Sequence, residues 1–584
     1  MNAKLSTDIQ KFIISFVVIA TIHSEAAVRY VDINNTAPTA PYIGWPIAAT
    51  NIQDAVDLSS NGDTILVAEG LYALKTDITV TNNINILGAG NPELTIIDGG
   101  HNGRGFHLGA TFSVIGGFTI RNGIGFSDEG GGIYCNSRSP VVYNCLIQGN
   151  VSGDGGGMKE GTAFNCLFMN NTAFTWGGGG ISGGIAYDCS FIENEAAGAD
   201  GGGLRLSDAF GCTVVSNTAR RLGGGMCGGT ASNCTFSGNY AMYGGGIASG
   251  TADDCEVRKN RELPSPGDPY FGGEGGGIYE VDAVNLLLED NYAYWYGGGM
   301  YGGSALSCNI TSNGSDEGGG AFAATIHNSL VVRNVADHGG GMSGGSAVNS
   351  TIYNNGGWIT VDGARQVAAT NCIIQGNDFF SGPSGSSYFH CCAPDAEHGV
   401  DGNITNAPEF VSSSDYRLVF NSPCIDAGNN SEVVWTSDLE GNPRIVNAMV
   451  DMGAYEYNPE LSDSDSDGIT DDWELMYFSC ATGCAAAGYA DADPCNNLAE
   501  YVAGTDPTNM LSYFRITKAD ACQEGFVVNW DAVSNRLYGI DWRADLINDF
   551  QSLEQDISYP QNKYTDTVHV ASEQSFYSLN VKHK

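Results

Sequence analysis

The feature that most constrains the fold of this sequence is a glycine triplet that recurs ten times. Successive triplets are 25, 23, 23, 22, 21, 31, 22, 21 and 21 residues apart. A period near 22 residues is too short for a repeat of two helices, so each unit is predicted to consist of short extended segments. We therefore predict a β-solenoid with one coil per unit, in which glycines form the tight corners. The last glycines of the triplets are Gly132, Gly157, Gly180, Gly203, Gly225, Gly246, Gly277, Gly299, Gly320 and Gly341.

A second signature between the triplets is an asparagine five residues after a cysteine or its substitute. Identical positions of a solenoid stack about 4.8 Å apart, so these side chains are predicted to form a ladder and to bond the backbone of the next coil. The asparagines are Asn150, Asn171, Asn194, Asn217, Asn239, Asn260, Asn291, Asn313, Asn334, Asn355 and Asn377, with Asn122 as an earlier member.

The cysteine slot is predicted to hold a small or apolar side chain that points inward. Stacked Cβ atoms near 4.8 Å are too far apart for an easy disulfide, which needs about 3.5–4.5 Å, so free thiols are expected. The slot holds Cys145, Cys166, Cys189, Cys212, Cys234, Cys255, Cys308 and Cys372, with Leu286, Ser329 and Ser350 at equivalent points. Better disulfide candidates, with connectivity left open, are Cys391, Cys392, Cys424, Cys480, Cys484 and Cys495.

The charge balance limits the class of partner. The 584 residues include 25 Lys and Arg against 66 Asp and Glu, a net charge of −41. Such a surface repels phosphate backbones and attracts cations, so nucleic acid is excluded as a partner and divalent metal or neutral partners are favoured.

The N-terminus predicts export. Lys4 and Lys11 precede the apolar run of residues 12–22, and Ser24 and Ala26 supply the small residues of a cleavage site. We predict a signal peptide over residues 1–26 and a secreted or cell-surface protein. A buried helix or an uncleaved anchor is the alternative. No other segment is apolar enough to predict a transmembrane span in the mature protein.

With these repeats, residues 28–457 resemble secreted bacterial right-handed parallel β-helix proteins of the pectate-lyase-like fold. The alternation of "GGGI" with motifs such as "CTFSGN" is also similar to the repeats of polymorphic outer-membrane proteins. The resemblance implies a mainly β fold with an N-terminal cap from Asn51 to Leu58 and a closing segment that contains "SPCIDAGNN". Unlike the autotransporter relatives, the chain has no pattern of a membrane barrel after Tyr457.

The acidic stretch "DSDSDGITDDWE" matches a calcium-binding EF-hand loop. Its spacing directs alternate side chains and one backbone carbonyl toward a single Ca²⁺ ion, and the last Glu completes the set of oxygen ligands. The predicted Ca²⁺ ligands are Asp463, Asp465, Asp467, Ile469 through its carbonyl, Asp471 and Glu474. An acidic linker is the alternative. A second, weaker site is predicted at Asp491, Asp493, Asn497 and Glu500. The pair resembles thrombospondin type 3 and dockerin-like segments.

The remaining chain predicts one more domain. Short alternating strands from about Met510 onward indicate a small β-sandwich. The expected organisation is therefore a signal peptide (1–26), the β-helix (28–457), an EF-hand-like segment (461–509) and the β-sandwich (510–584). Trp530 and Trp542 in this last domain are expected to pack in its core rather than bind sugar.

Residues just before the triplets are predicted to stack into one lateral stripe of carboxylates and aromatic rings. Aromatic rings bind sugars, and paired carboxylates hold calcium or perform acid/base chemistry. The ligand-binding candidates are Asp154, Trp176, Asp200, Arg221, Tyr243, Glu274, Trp295, Tyr296 and Glu317. A solvated turn edge is the alternative. The 31-residue unit adds a loop from Arg261 to Glu274 that is expected to wall off a cleft.

Two functions follow from these features. The first, which the sequence favours, is a non-catalytic, adhesin-like rod that binds a polysaccharide, a cell-surface glycan or another partner. The second is a polysaccharide lyase or glycoside hydrolase acting on the lateral face. No basic residue stands in a recognisable catalytic motif, and fold alone is weak evidence for activity. Two or three carboxylates close to Arg221 or Arg258 would favour the enzyme.

Overall fold

The structure is a computed structural model that describes residues 26–125, 129–263, 273–357, 363–377, 385–569 and 575–584. The chain divides into two compact units, the first formed by residues up to 407 with 426–455 and the second by 408–425 with 456–584. The predicted signal peptide, apart from Ala26, and most of the predicted loop between Arg261 and Glu274 lie outside the described residues. No helix within the described ranges is long and apolar enough to cross a membrane.

The first unit is a parallel β-helix, as predicted. One coil shows the plan: Met226–Cys227 and Thr230–Ser232 form face 1, Thr235–Ser237 forms face 2, and Tyr240–Ala241 forms face 3. Each strand pairs in parallel with its equivalent one coil later, as Phe236 does with Val257. Inward residues alternate with outward ones, so a single buried core of aliphatic and aromatic side chains runs through the coils.

Face 2 contains one strand per coil, and face 3 contains one strand in most coils. The strands of face 2 are Gly70–Ala73, Thr95–Asp98, Thr119–Arg121, Leu146–Gln148, Leu167–Met169, Ser190–Ile192, Thr213–Val215, Thr235–Ser237, Glu256–Arg258, Leu287–Glu289, Asn309–Thr311, Leu330–Val332, Thr351–Tyr353 and Ile373–Gln375. Those of face 3 are Ile124–Gly125, Val151–Asp154, Thr172–Gly177, Glu195–Ala196, Thr218–Ala219, Tyr240–Ala241, Arg261–Glu262, Gly314–Glu317, Val335–His338 and Gly356–Gly357.

Face 1 contains two strands in most coils. The strands next to the glycine corner are Ile78–Val80, Phe106–Leu108, Ile133–Cys135, Met158–Lys159, Ile181–Ser182, Leu204–Arg205, Met226–Cys227, Ile247–Ala248, Ile278–Tyr279, Met300–Tyr301 and Ala364–Arg365. The strands that follow are Val28–Val31, Thr64–Val67, Asn85–Gly88, Val114–Gly116, Val141–Tyr143, Thr162–Phe164, Ile185–Tyr187, Asp208–Phe210, Thr230–Ser232, Thr251–Asp253, Asp282–Val284, Ser304–Leu306, Ala368–Thr370 and Ser387–Phe389. In two coils they merge into Ala321–His327 and Met342–Val348.

The N-terminal cap is a short helix, Ile52–Asp57. Asn51 precedes it and accepts a hydrogen bond from the Gln53 N–H, which satisfies one of the free donors of the first turn. Ile52, Ala55 and Val56 are buried. The helix packs against the first strands of face 1. The 3₁₀ turns are Trp45–Ile47 and Asn430–Glu432.

The asparagine ladder is present and continuous from Asn150 to Asn377. Each ladder asparagine up to Asn355 donates its backbone N–H and its Nδ2 to the Oδ1 of the next one, at 2.9–3.1 Å. Asn122, predicted as an earlier member, is one residue out of register. Ile120 pairs with Ile147, so Gly123 occupies the ladder position and donates its N–H to Asn150.

The cysteine slot also forms hydrogen bonds. The Cys212 N–H donates to Cys234 Sγ at 3.3 Å, and the Cys308 N–H donates to Ser329 Oγ at 2.9 Å. A hydroxyl therefore replaces a thiol without loss of the bond. Cys391, predicted to lie outside the ladder, is its last member because the Cys372 N–H donates to Cys391 Sγ. The cysteines of the slot are free thiols, and burial raises the pKa of Cys308 to about 12, which keeps that thiol protonated.

The glycine triplets form the corner between face 3 and face 1. In the triplet Gly223–Gly225 the first glycine has a φ of +63°, a conformation that favours glycine. A Cβ on Gly224 would lie 2.5 Å from the Gly245 carbonyl oxygen of the next coil. The triplets stack directly on one another, which leaves no room for a side chain.

The second unit contains the acidic loops and a small β structure. Its helices are Asp471–Phe478 and Asn497–Ala503. Two three-stranded antiparallel sheets follow, one of Ile516–Cys522, Gly525–Trp530 and Lys563–Asp566, the other of Gln551–Ser558, Arg536–Arg543 and Phe576–His583. Buried residues of both sheets form one hydrophobic cluster that includes Trp530, whereas Trp542 stacks on His569 at 3.6 Å.

Candidate functional site

The predicted stripe exists as two adjacent rows at the corner between face 3 and face 1. Asp154 pairs with Gly177, Gly177 with Asp200, and Tyr243 with Glu274. We call the full set the lateral row: Glu129, Asp154, Gly177, Asp200, Leu222, Tyr243, Glu274, Tyr296, Glu317 and His338.

Three predicted members are not in the lateral row. Trp176, Arg221 and Trp295 each precede a residue of that row, so they form a separate outer row. The prediction for Trp176 was wrong because residues 177–180 form a run of four glycines, and the first of these, Gly177, is the residue that pairs with Asp154. Trp176 therefore stands one place further from the core, and its side chain is 56% exposed.

The next row of the same surface comes from the face 1 strands. We call it the strand row: Lys159, Ser182, Arg205, Cys227, Ala248, Tyr279, Tyr301, Phe322, Ser343 and Arg365. Its side chains lie beside those of the lateral row. The lateral face therefore consists of these two rows flanked by the outer row.

The N-terminal part of the lateral face is a charged cluster. Lys159 Nζ lies 2.6 Å from Asp154 Oδ2, and Arg205 Nη1 lies 3.9 Å from Asp154 Oδ1. Arg221 Nε lies 3.4 Å from Asp200 Oδ1. Three cations and two carboxylates thus meet within a few coils of a chain that is otherwise strongly acidic. Phe174 and Trp176, both 56% exposed, project from the adjacent strand two residues apart.

The C-terminal part of the lateral face is an aromatic ladder. The rings of Tyr279 and Tyr301 stack with centroids 5.1 Å apart, and Phe322 stacks on Tyr301 at 5.4 Å. Burial, together with the charges of Glu280 and Glu274, raises the pKa of Tyr279 to about 12, so its hydroxyl keeps its proton. Because the rings stack along the rod axis, they present edges and hydroxyls outward.

Carboxylates flank the aromatic ladder. Burial and the charge of Glu280 raise the pKa of Glu274. Glu317 Oε1 lies 2.7 Å from Arg365 Nη1 and accepts a hydrogen bond from Ser343 Oγ at 2.8 Å. Tyr296, beside Glu317 in the lateral row, packs against Phe322 with centroids 4.5 Å apart. These polar groups are fixed in place by neighbours on adjacent coils.

The first predicted calcium loop brings three carboxylates together. Ligand atoms of Asp463, Asp465 and Asp467 all lie within 4.8 Å of one another. Burial and the charges of the other two raise the pKa of Asp465. Glu474 is fully buried, and its Oε2 has no hydrogen-bond partner among the described residues. An unpaired, buried carboxylate oxygen beside an acidic cluster fits a cation.

Asp471 is oriented differently from the other predicted ligands. Its Oδ1 accepts a hydrogen bond from the Ser464 N–H, and its Oδ2 accepts from the hydroxyls of Ser464 and Tyr457, at 2.7–2.8 Å. Both oxygens are already engaged, so Asp471 holds the loop rather than joining the acidic group. The Ile469 carbonyl remains a predicted ligand.

The second predicted loop has four oxygens without partners. They are Asp491 Oδ2, Asp493 Oδ2, Asn497 Oδ1 and Glu500 Oε2, all buried and without hydrogen-bond partners among the described residues. Burial and the charges of Asp493, Asp491 and Asp506 raise the pKa of Glu500 to about 7. The sequence ranked this loop second because Tyr489 stands at position 1 and Pro494 stands where glycine is usual.

Three solved structures have low similarity to this chain. A pectate lyase, Pel9A, has 15% identity and a TM-score of 0.24, covering 74% of this chain and 97% of its own. Tailspike protein 3 of bacteriophage CBA120 has 10% identity and a TM-score of 0.30, and the match covers 70% of this chain and 72% of the tailspike chain. The mannuronan C-5 epimerase AlgE6 A-module of Azotobacter vinelandii has 13% identity and a TM-score of 0.22, and the match covers 61% of this chain and 95% of the epimerase module.

We draw no functional argument from these structures, because the identities and the TM-scores are low. No protein-family model and no curated protein sequence matches the chain. Function must therefore be argued from the surface of the molecule itself.

Glu262 is a residue that the sequence did not single out. It is the second residue of the predicted Arg261–Glu274 loop, and its Oε2 accepts hydrogen bonds from the N–H groups of Gly273, at 2.6 Å, and Tyr294, at 2.7 Å. Burial and the charge of Asp316 raise the pKa of Glu262 to about 7. Its position in this loop was the only signal in the sequence.

Glu262 is expected to make the stability of the β-helix depend on pH. Because its folded pKa of about 7 exceeds the ordinary value of 4.5, the folded state holds the extra proton between these values. The resulting stabilisation is complete below about pH 4.5 and is lost as the pH rises through 7. Unfolding midpoints at pH 5 and pH 8 should therefore differ more for the wild type than for Glu262→Gln. Glu256→Gln, at an exposed site nearby, should behave as the wild type. Parallel pH curves for the wild type and Glu262→Gln would contradict the assignment.

Proposed function

We propose that the protein binds a polysaccharide along the lateral face of its β-helix. The observation that carries this proposal is the alignment of the charged cluster and the aromatic ladder in the same rows, along the axis of the coils. A surface of this kind offers a repeated set of hydrogen-bonding groups to a polymer lying parallel to it. We propose a non-catalytic, adhesin-like rod as the primary function.

The lateral face suits a glycan for two physical reasons. Phe174 and Trp176 provide exposed rings for the apolar faces of sugars, and the edges of Tyr279 and Tyr301 offer hydroxyl groups. The carboxylates are held by partners on neighbouring coils, as Glu317 is by Arg365 and Ser343. Little side-chain entropy is therefore lost on binding, which supports affinity.

Cleavage of the bound polysaccharide is the second candidate function. The specific observation in its favour is the charged cluster, in which Asp200 contacts Arg221 and Asp154 contacts Arg205 and Lys159. Arg258, in contrast, pairs only with Glu256 among the described salt bridges. A lyase or a glycoside hydrolase requires charged groups of this kind on one surface, close together.

We further propose that both acidic loops of the second unit bind Ca²⁺. In the first loop Asp463, Asp465, Asp467 and Glu474 would hold the ion with the carbonyl of Ile469. In the second, Asp491, Asp493, Asn497 and Glu500 would do so. The buried oxygens without hydrogen-bond partners support this assignment. Bound calcium would neutralise the carboxylates and stiffen this segment. We also propose that the protein acts outside the cell, because residues 1–26 have the pattern of a signal peptide.

The lateral-face proposal is tested with a panel of neutral and acidic polysaccharides, in calcium, with both binding and turnover recorded. Turnover is followed as new reducing ends and as the absorbance of unsaturated uronides. Replacing both Phe174 and Trp176 with alanine should weaken binding about tenfold. Phe112→Ala, which removes an exposed ring elsewhere on the rod, should leave the affinity unchanged.

The outcomes separate the two functions. Binding without turnover supports the rod, whereas turnover abolished by Arg205→Ala supports the enzyme. Absence of binding to every polysaccharide, or full affinity in the variant that lacks both aromatic rings, would refute the proposal.

A further inference from the structure

A different corner of the β-helix, between faces 1 and 2, carries a row of polar residues. One residue in each coil adopts a left-handed conformation there, including Asn285, Ser307, Asn328, Asn349 and Asn371, with φ from 48° to 53°. This backbone conformation favours asparagine among residues with a side chain. We call this set the corner row. It is separate from the lateral face, which lies between faces 3 and 1.

The closing segment of the first unit, residues 426–455, returns along the corner row. Asn371 Oδ1 accepts a hydrogen bond from the Asn429 N–H at 2.8 Å, and Asn371 Nδ2 donates to the Asn429 carbonyl at 3.0 Å. Further along, Asn328 Nδ2 donates to the Ser437 carbonyl at 3.2 Å. The segment is therefore attached at two coils, and residues 435–441 lie over the corner around the second attachment.

A cleft opens between this part of the segment and the corner row. Its volume is about 360 Å³, and it is lined by Asn285, Leu306, Ser307, Asn328 and residues 435–441. Ligand sites of proteins typically have volumes of roughly 300–1,000 Å³. The cleft is thus large enough for a single sugar ring.

Asn328 provides an unused acceptor at the cleft. The side chain is 2% exposed, and its Nδ2 donates to Ser307 Oγ at 3.1 Å as well as to the Ser437 carbonyl. A carbonyl only accepts hydrogen bonds, so the Ser437 contact fixes which amide atom is the nitrogen. The other atom, Oδ1, has no hydrogen-bond partner among the described residues. A buried acceptor left in this state costs about 1–3 kcal/mol.

Trp435 provides an apolar surface at the same cleft. Its side chain is 40% exposed, and its ring meets that of His327 edge to face, with centroids 6.4 Å apart. The contact restrains the indole while part of its surface stays open. Exposed indole rings bind the apolar faces of sugars, whose hydroxyls then reach polar neighbours.

The charges around the cleft exclude anionic ligands. The lining residues include the carboxylates of Asp438 and Glu440 and no Lys or Arg. His327, behind Trp435, is partly buried, and burial lowers its pKa, so it is uncharged at neutral pH. A neutral ligand with several hydroxyl groups matches this set of amides, hydroxyls and carboxylates.

We propose that this cleft binds a neutral sugar ring. One face of the sugar would lie on Trp435, and its hydroxyl groups would reach Ser307, Asn328 and Glu440. This site would be independent of the lateral face, so it would recognise a separate sugar unit. The protein would then contact glycans at two corners of the same rod.

The test uses the full chain and titrates it with glucose, galactose, mannose, N-acetylglucosamine and glucuronate. Binding is followed by calorimetry and by tryptophan fluorescence. At least one neutral sugar should bind saturably in the millimolar range, and glucuronate should bind at least fivefold more weakly than glucose or not at all. Trp435→Ala should weaken binding of the neutral sugar about tenfold, and because Trp435 is largely exposed this variant should still fold.

Two further variants make the outcome decisive. Asn328→Ala should also weaken binding, whereas Phe112→Ala, which removes an exposed ring outside both proposed sites, should leave monosaccharide binding unchanged. The proposal is overturned if no neutral sugar binds, if glucuronate binds as tightly as glucose, or if Trp435→Ala retains full affinity. Failure of polysaccharide binding in the variant lacking Phe174 and Trp176 would concern only the lateral face, so the two proposals fail separately.

Discussion

Replacing Asn239 with alanine is expected to destabilise the β-helix by about 4 kcal/mol. Asn239 Oδ1 accepts hydrogen bonds from both the N–H and the Nδ2 of Asn217, and its Nδ2 donates to the Val214 carbonyl. All these groups are buried, and each buried polar group left without a partner costs about 1–3 kcal/mol. Denaturant unfolding followed by circular dichroism would measure the change.

Asn233→Gly, in the same coil, is the matched control. Asn233 occupies the exposed corner with φ of 53°, a conformation that glycine adopts without strain. The Asn233→Gly substitution should change the free energy of unfolding by less than about 1 kcal/mol. Similar effects of the two substitutions would show that the inner ladder contributes no more than a surface asparagine.

Calcium is expected to raise the thermal unfolding midpoint of the second unit by about 10 °C. If the free calcium concentration is about one hundred times the dissociation constant, binding at one site stabilises the folded state by about 2.7 kcal/mol. For a unit of this size, each kcal/mol shifts the midpoint by roughly 3–5 °C. Calorimetry of the full chain in calcium and in excess chelator would resolve the transition.

Variants at the two acidic loops would show how much each loop contributes to the calcium-dependent shift of the midpoint. Glu474→Gln should remove the contribution of the first loop, and Glu500→Gln that of the second. Both side chains are fully buried, with one oxygen lacking a partner among the described residues. Asp472→Asn, at an exposed carboxylate next to the first loop, should retain the whole shift. Equal midpoints of the wild type in calcium and in chelator would refute calcium binding.

The repeat pattern predicted the core of the fold because each ladder needs one residue type at one place in every coil. Asn150 to Asn377 and the cysteine slot follow this rule, so counting residues located them. Counting failed where the number of residues at a corner changes. Gly177 replaces a side chain in the lateral row, and Gly123 takes the ladder place assigned to Asn122.

Other features could not be read from the repeat because they depend on contacts distant in sequence. The reciprocal hydrogen bonds of Asn371 and Asn429 join residues 58 positions apart, and the hydrogen bond from Asn328 to Ser437 joins residues 109 apart. No local pattern predicts them. The burial of Glu500 in the second acidic loop was hidden for a related reason, since the sequence showed Pro494 but not the contacts that bury this side chain.

The stacking of equivalent residues makes the coils interchangeable parts. Residues 226–246 span one full turn, and every strand in it pairs with a counterpart that has the same register on either side. Excising such a turn would bring Gly225 next to Ile247 and would rejoin the ladders without a mismatch. The length of the rod, and hence the length of polymer it can span, is therefore a modular quantity that whole-turn deletion or duplication can set.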